Sequence, residues 1–190
     1  MKKNLLIIVS GPSGVGKGTV VKILMNDKSL NLVYSISATT RKPRANEVDG
    51  KDYFFIDREK FKELINNDEL LEYSEFVNNY YGTPKGYIDK SLKEGKNVLL
   101  EIETNGAQQV MEKMKGKGVI SIFLLPPSMY ELENRIKNRR TEPLSVIKER
   151  LDKARKELQL KILYDYNVVN DTPENAAKKI AEIIKENLIK

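Results

Sequence analysis

Five apolar residues, Leu5 to Val9, run without a polar interruption into Ser10-Gly11-Pro12-Ser13-Gly14-Val15-Gly16-Lys17-Gly18-Thr19. Such a run reads as a strand buried on both faces, and the glycine-rich stretch after it reads as a tight turn that opens a helix. Glycines let the backbone curl until successive N–H groups point into one concavity. The helix N-terminus adds partial positive charge there, and a lysine in the position of Lys17 reaches the outer phosphates. The loop Gly11, Pro12, Ser13, Gly14, Val15, Gly16, Lys17, Gly18, Thr19 is therefore a candidate site for a nucleoside triphosphate. The strict spacing G-x-x-x-x-G-K-[ST] is missed by one position, because Gly18 follows Lys17 and the hydroxyl arrives at Thr19.

A strand that ends in such a loop needs parallel neighbours. Asn97 to Ile102, Val119 to Leu125 and Asn167 to Val169 are short apolar runs of the same kind, separated by helical patterns after Gly16, over Gly106 to Met114 and over Pro173 to Leu188. Alternation of this kind predicts an α/β fold three layers deep. At 190 residues the chain fits one domain. Two segments interrupt the rhythm: a β-rich stretch from Tyr34 to Ile56, and charged helix from Ser128 to Leu163 broken around Thr141 to Ser145. The apolar run near the N-terminus is too short for a signal sequence and no stretch approaches a membrane span, so a soluble cytoplasmic protein is expected, with no membrane partner.

The chain has no histidine and no cysteine, which removes imidazole and thiolate chemistry. Lys+Arg 33 against Asp+Glu 27 leaves +6, a charge compatible with nucleic acid, an acidic surface or small anionic substrates. The arginines fall into two segments. In Thr39-Thr40-Arg41-Lys42-Pro43-Arg44, followed by Glu47, Gly50 and Tyr53, two guanidinium forks flank a stiffening proline and can converge on one phosphate, with a tyrosine hydroxyl as further donor. Taken alone, such a pair is more often surface decoration; beside a triphosphate loop it suggests an acceptor that is itself a phosphate.

In these motifs the chain resembles the guanylate kinase family. The resemblance runs through Gly11 to Thr19, Thr39 to Tyr53, Asn79-Tyr80-Tyr81-Gly82-Thr83, Gly106-Ala107-Gln108-Gln109, Pro126-Pro127-Ser128, Arg139 with Thr141-Glu142, and Val169-Asn170-Asp171. It implies a three-layer P-loop kinase core with a parallel sheet (about 1–34, 97–126 and 164–190), a β-rich nucleoside-monophosphate-binding insertion (about 35–96) and a helical lid insertion (about 127–163). It implies ATP and GMP or dGMP as substrates and Mg²⁺ as cofactor, in a monomer or homodimer.

The resemblance also implies roles. Arg41, Arg44, Tyr53 and Tyr81 would grip the acceptor phosphate. Guanine offers N1–H and an amino group as donors and O6 as acceptor, for which Glu72, Glu103, Ser37 and Thr83 stand at matching positions. Lys17, Arg41, Arg135, Arg139 and Arg150 would act on the transferred group, Asn170 and Asp171 would touch adenine, and Thr19 and Glu101 would reach Mg²⁺, partly through water. Each has a plainer reading: Glu72 as an exposed strand or helix-end charge, Thr83 as a helix cap before Pro84, Tyr80 and Tyr81 as core aromatics, Arg135 and Arg150 as partners of local glutamates. Glu101 and Glu103 are expected on alternate positions of one buried strand. Glu103 stands where the family commonly has aspartate, Asn105 where it has glutamine, and Asn138 and Arg140 where glycines are usual. Rival readings are a kinase-like binding module of a scaffold protein, a kinase for another nucleoside monophosphate, and a basic nucleic-acid protein. The intact set of lysine and arginines, the carboxylates, and the want of aromatics interleaved with a basic stripe argue against these in turn.

Overall fold

The structure, a computed structural model, describes residues 4–76, 78–137 and 144–189. Its elements are β1 (Leu6–Ser10), α1 (Lys17–Asn26), β2 (Leu32–Tyr34), β3 (Ala38–Thr39), β4 (Phe54–Phe55), α2 (Arg58–Asn66), β5 (Leu70–Phe76), β6 (Asn79–Pro84), α3 (Lys85–Lys93), β7 (Asn97–Glu101), α4 (Thr104–Lys113), β8 (Val119–Leu125), α5 (Met129–Lys137), α6 (Leu144–Gln159), β9 (Tyr166–Val169) and α7 (Pro173–Ile189). Five of the strands form one parallel sheet in the order β2-β7-β1-β8-β9. A second sheet, β4-β3-β6-β5, is mostly antiparallel and belongs to the segment between β2 and β7.

Strand periodicity explains the layers. Alternate side chains of β1 point to opposite faces. Ile7 and Val9 pack with Val20, Val21 and Leu24 of α1 and with Ala176, Ala177, Ile180 and Ile184 of α7. On the other face Leu6 and Ile8 meet Ile88 of α3 and Ala107 and Val110 of α4. All five residues of β1 are buried, the four apolar ones and Ser10 at its end. Each fully buried Leu or Ile contributes about 1.5–3 kcal/mol, and this central strand holds both layers to the sheet.

Sequence periodicity locates β1, β7, β8 and β9 and the helices between them. It does not separate β2 from the stretch after it. Leu32–Tyr34 is only three residues long and joins the edge of the parallel sheet against β7, too short a run for a period to show. The segment between β2 and β7 carries, beside its four-stranded sheet, two helices, α2 and α3, both beyond the Tyr34 to Ile56 stretch.

The parallel sheet is fastened at its amino edge by Asn97. Its Nδ2 donates to the Leu30 carbonyl at 2.7 Å and its Oδ1 accepts from the Leu5 N–H at 3.0 Å, both buried. Asn97→Ala orphans both backbone groups and is expected to destabilise the protein by about 1–3 kcal/mol. A lower urea midpoint at unchanged m value checks this.

Candidate functional site

Because β1, β7 and β9 run parallel, their carboxyl ends lie along one edge of the sheet, where ligands gather in folds of this kind. A cavity of about 480 Å³ opens there, lined by the loop glycines, Lys17, Thr19, Lys22, Glu101, Glu103 and Glu157. The loop reaches this shape through glycine. Gly16, the residue before α1, sits at φ 98°, and a Cβ on it would fall 2.7 Å from the Asn170 amide nitrogen.

The loop is braced from behind by side chains from three directions. Lys17 Nζ donates to the Gly11 and Pro12 carbonyls at 2.7 and 3.2 Å. The Val15 carbonyl accepts from Asn170 Nδ2 at 2.8 Å and from Arg135 Nη1 at 3.2 Å, and Arg135 Nη2 also donates to the Asn170 carbonyl at 3.1 Å. From α6, Arg150 Nη2 donates to Ser13 Oγ at 3.1 Å. Burial pushes the Lys17 ammonium below the usual lysine range, and Glu101, Glu157 and Glu103 push the other way.

A second cavity of about 530 Å³ shares Glu101, Ile102, Glu103 and Glu157 with the first. It continues between Ser37, Tyr53, Glu72, Tyr81 and Gly106. Glu72 on β5 is only 6% exposed. Thr83 Oγ1 donates to its Oε1 at 2.6 Å. Gly106 leaves room for the other oxygen, since a Cβ there would lie 2.8 Å from Glu72 Oε2. The α4 side chain of Gln109 clips the same strand by accepting from the Tyr73 N–H at 3.2 Å and donating to its carbonyl at 3.1 Å. Burial raises the Glu72 carboxyl above the usual range, with the Thr83 bond opposing. Glu101 is likewise raised by burial, opposed by Lys17 and by the Tyr34 hydroxyl, which donates to it at 3.5 Å.

Beside Tyr53, which lines this cavity, Arg41 is held by both oxygens of Glu47, at 2.8 and 2.9 Å, and its Nη1 also donates to the Lys42 carbonyl. Glu47 accepts from the Arg44 N–H as well, and these bonds lower its carboxyl to about 2. The Arg41 guanidinium lies over the Tyr53 ring at 5.5 Å, and Tyr53 meets Tyr81 edge to face at 6.1 Å.

Residues 3–187 match the sequence model of the family described as guanylate kinase. The chain belongs to the guanylate kinase family. It is 54% identical over 182 residues to a guanylate kinase of Mesoplasma florum, covering 96% of this chain and 61% of that protein. A guanylate kinase of Bacillus cereus is 55% identical over 183 residues, 96% of this chain and 88% of its own. The crystal structure of guanylate kinase from Anaplasma phagocytophilum superposes with a TM-score of 0.79 at 35% identity, covering 100% of this chain and 89% of that one. The chain thus spans about three fifths of the length of the first curated relatives it matches, 61% in each of three.

Several side chains take partners that the guanylate kinase resemblance does not suggest. Glu103 is not on the buried strand with Glu101: β7 ends at Glu101, and Glu103 is the N-cap residue just before α4. Its side chain is 73% exposed and pairs with Lys153 of α6 at 3.1 Å. Asn170 is buried behind the loop, while the exposed Asp171 accepts from the Thr172 N–H and from Asn175 Nδ2 in the first turn of α7. Thr83 does not cap α3, whose N-cap is Pro84. Glu72 is neither exposed nor at a helix end. Arg139 lies outside the described residues, as do Asn138, Arg140, Thr141 and Glu142.

Sequence reasoning assigns no role to Glu47, Gly106, Gln109 or Glu157. The first three sit inside the family motifs, but their effect is on the aim of another residue, which spacing does not reveal. For Glu157 a signal exists: it falls on the stripe of α6 that buries Leu151, Ala154 and Leu158, where a carboxylate is out of place.

Gly16→Ala forces φ 98° on a residue with a Cβ and drives that carbon into Asn170. Nucleoside triphosphate affinity is expected to fall by about tenfold or more, the equivalent of about 1.4 kcal/mol of loop strain. Calorimetric titration with a non-hydrolysable ATP analogue measures it.

Proposed function

We propose that this protein transfers the γ-phosphoryl group of ATP to GMP and dGMP, giving ADP and GDP or dGDP, in purine nucleotide metabolism. The observation that carries the reading is the juncture of the two cavities at Glu101, one walled by a phosphate loop and the other floored by a buried carboxylate. Family membership adds the reaction class. A cytoplasmic monomer or homodimer belongs to the same reading.

The acceptor pocket explains a preference for guanine. Glu72, oriented by Thr83, presents an acceptor to the N1–H and amino donors of guanine, with Ser37 across the same cavity. Adenine would turn a ring nitrogen lone pair toward a buried carboxylate and leave both unpaired, which costs several powers of ten in binding. Glu103 takes part from the rim, where it exchanges Lys153 for the base. Arg41, Arg44, Tyr53 and Tyr81 receive the acceptor phosphate, with Arg41 already aimed by Glu47.

Phosphoryl transfer asks chiefly for alignment and for positive charge around the moving group. The attacking oxygen belongs to a phosphate ionised at neutral pH, so no general base is required and the absence of histidine is no obstacle. Lys17 holds the outer phosphates within the loop amides. Arg41 bridges acceptor and transferred group, and Arg135, Arg139 and Arg150 close from the α5–α6 segment, with Asn170 and Asp171 beside the adenine end. The groups placed to reach a metal beside the loop are oxygens, the Thr19 hydroxyl and the Glu101 carboxylate, and among the described residues no group of three or more acidic side chains is spaced to hold a metal ion by itself. That sparse, hard donor set fits Mg²⁺ carried in on the nucleotide, with Thr19 and Glu101 holding it in part through water. Bound there, the ion neutralises charge on the β and γ phosphates.

Lys17→Ala is expected to abolish ADP release while GMP affinity changes less than about threefold. Loss of GMP affinity with retained turnover would contradict the assignment. A panel of GMP, dGMP, AMP, CMP, UMP and dTMP tests the reading as a whole, with activity confined to the first two expected.

Glu72→Gln should lower the GMP-to-AMP ratio of kcat/KM by at least about tenfold. The same carboxylate sets a pH limit. Its folded pKa is raised, so it takes up a proton at higher pH than an ordinary glutamate, and guanine binding weakens as pH falls through that raised value. GMP binding measured from pH 8 downward is expected to weaken before ordinary carboxylates titrate, and in Glu72→Gln only the part of the acid limb due to the second ionisation of the GMP phosphate, at about pH 6, should remain.

A further inference from the structure

Among the carboxylates near the phosphate loop, Glu157 is the one with no part in the proposed reaction. It sits on α6 and is only 6% exposed. Its Oε2 accepts from the backbone N–H of Ser13 at 3.3 Å, and its Oε1 from the Thr104 hydroxyl at 3.4 Å. Lys153, one turn earlier, lies 3.8 Å away. The residue lines both cavities.

A negative charge beside a cradle for anions opposes the binding of phosphate, and burial makes the charge costly unless its partners matter. Those partners come from separate elements. Ser13 belongs to the donor's loop. Thr104 opens α4, the helix that carries Gly106 and Gln109 against the strand of Glu72. Glu157 itself shares α6 with Arg150, two turns earlier, whose guanidinium donates to the hydroxyl of that same Ser13. Lid helix, donor loop and acceptor-side helix therefore meet on one carboxylate, and Ser13 is gripped twice from α6.

We infer that Glu157 is a positioning residue that couples the two substrate sites: it sets α6 and Arg150 on the phosphate loop through Ser13 and links that placement to the acceptor pocket through Thr104. The inference rests on the kinase reading of the two cavities. When phosphates occupy the loop amides they contend with Glu157 for the Ser13 N–H, and the carboxylate keeps its second tie to α4. Occupation of one site thereby changes the setting of the helix that closes over the other. The coupling is reciprocal, as any linkage of binding free energies must be.

The test compares wild type, Glu157→Ala, Glu157→Gln and Thr104→Val. GMP is titrated with and without a saturating non-hydrolysable ATP analogue, alongside steady-state kcat and KM and thermal unfolding. For wild type the analogue is expected to change GMP affinity by about fivefold or more. In Glu157→Ala that factor should fall to near one and kcat should drop by about a hundredfold, the effect of misplacing a closing group by about 1 Å, with GMP affinity in the absence of the analogue within twofold of wild type. Glu157→Gln keeps the shape and one acceptor, guards against a folding defect in the alanine variant, and should restore part of both quantities. Thr104→Val cuts only the acceptor-side bond, so coupling should fall while affinity for the analogue alone is kept.

An unchanged coupling factor in Glu157→Ala or Glu157→Gln, or no coupling in wild type, overturns the inference. Failure of the kinase reading looks different: wild type would release no ADP with GMP, whereas the binding factors are read without turnover.

Discussion

The carbonyl of Val15 accepts from Asn170 on one side and Arg135 on the other. Much of the site depends on that kind of bracing. A phosphate loop works only if its N–H groups face inward, which leaves carbonyls facing out, and buried carbonyls need donors. Here those donors are Lys17 within the loop, Asn170 directly after the last strand, and Arg135 from α5. The arginine and the asparagine are also bonded to each other, so the loop, the end of the last strand and α5 form one unit. The shape of the anion site is a property of the tertiary fold as much as of the glycine motif.

Four glutamates in a chain of net charge +6 illustrate how environment divides one residue type into separate tasks. Glu47, bonded to Arg41 and the Arg44 N–H, stays ionised down to about pH 2 and fixes a guanidinium. Glu72 and Glu101 are both raised by burial, but the first has a hydroxyl donor and faces a pocket, whereas the second faces Lys17 across the phosphate cavity. Glu157 bonds backbone and hydroxyl groups from two other elements. Burial, partner charge and hydrogen bonding account for these differences without any difference in the side chain itself.

Those same residues mark how far the sequence can be read. Strands buried on both faces announce themselves as unbroken apolar runs, which is why Leu5 to Val9 and Val119 to Leu125 are legible, and the phosphate loop with them. Alternation misplaces Glu103 because it extends past the end of the strand: two residues after Glu101 the chain has already turned into a helix, and the side chain points outward. Leu32–Tyr34 is too short to show a period. Asn170 has the sequence position of a ligand contact because it comes directly after the last strand, yet its amide is bonded to the loop's own backbone. The contacts of Glu157 stay illegible because they join residues more than fifty positions apart, which no local pattern encodes.

The Arg41–Glu47 pair shows why a half-buried ion pair can matter to such a site without adding much stability. Charges that still touch solvent give up hydration and rotamer freedom in exchange for a partly screened attraction, so the net gain in folding is small. An arginine free to sample its rotamers, however, gives up about 2 kcal/mol of side-chain entropy when a ligand orders it. Glu47 and the flanking Tyr53 and Phe55 rings take up that ordering on folding. Two of the guanidinium's N–H groups face the carboxylate, and the fork keeps donors on its remaining edge. On the function proposed above, a phosphate arriving there meets a cation whose direction is already set, and the carboxylate that set it stays charged down to about pH 2. Preorganisation of this kind shows in binding and in rate, and leaves the unfolding free energy almost untouched.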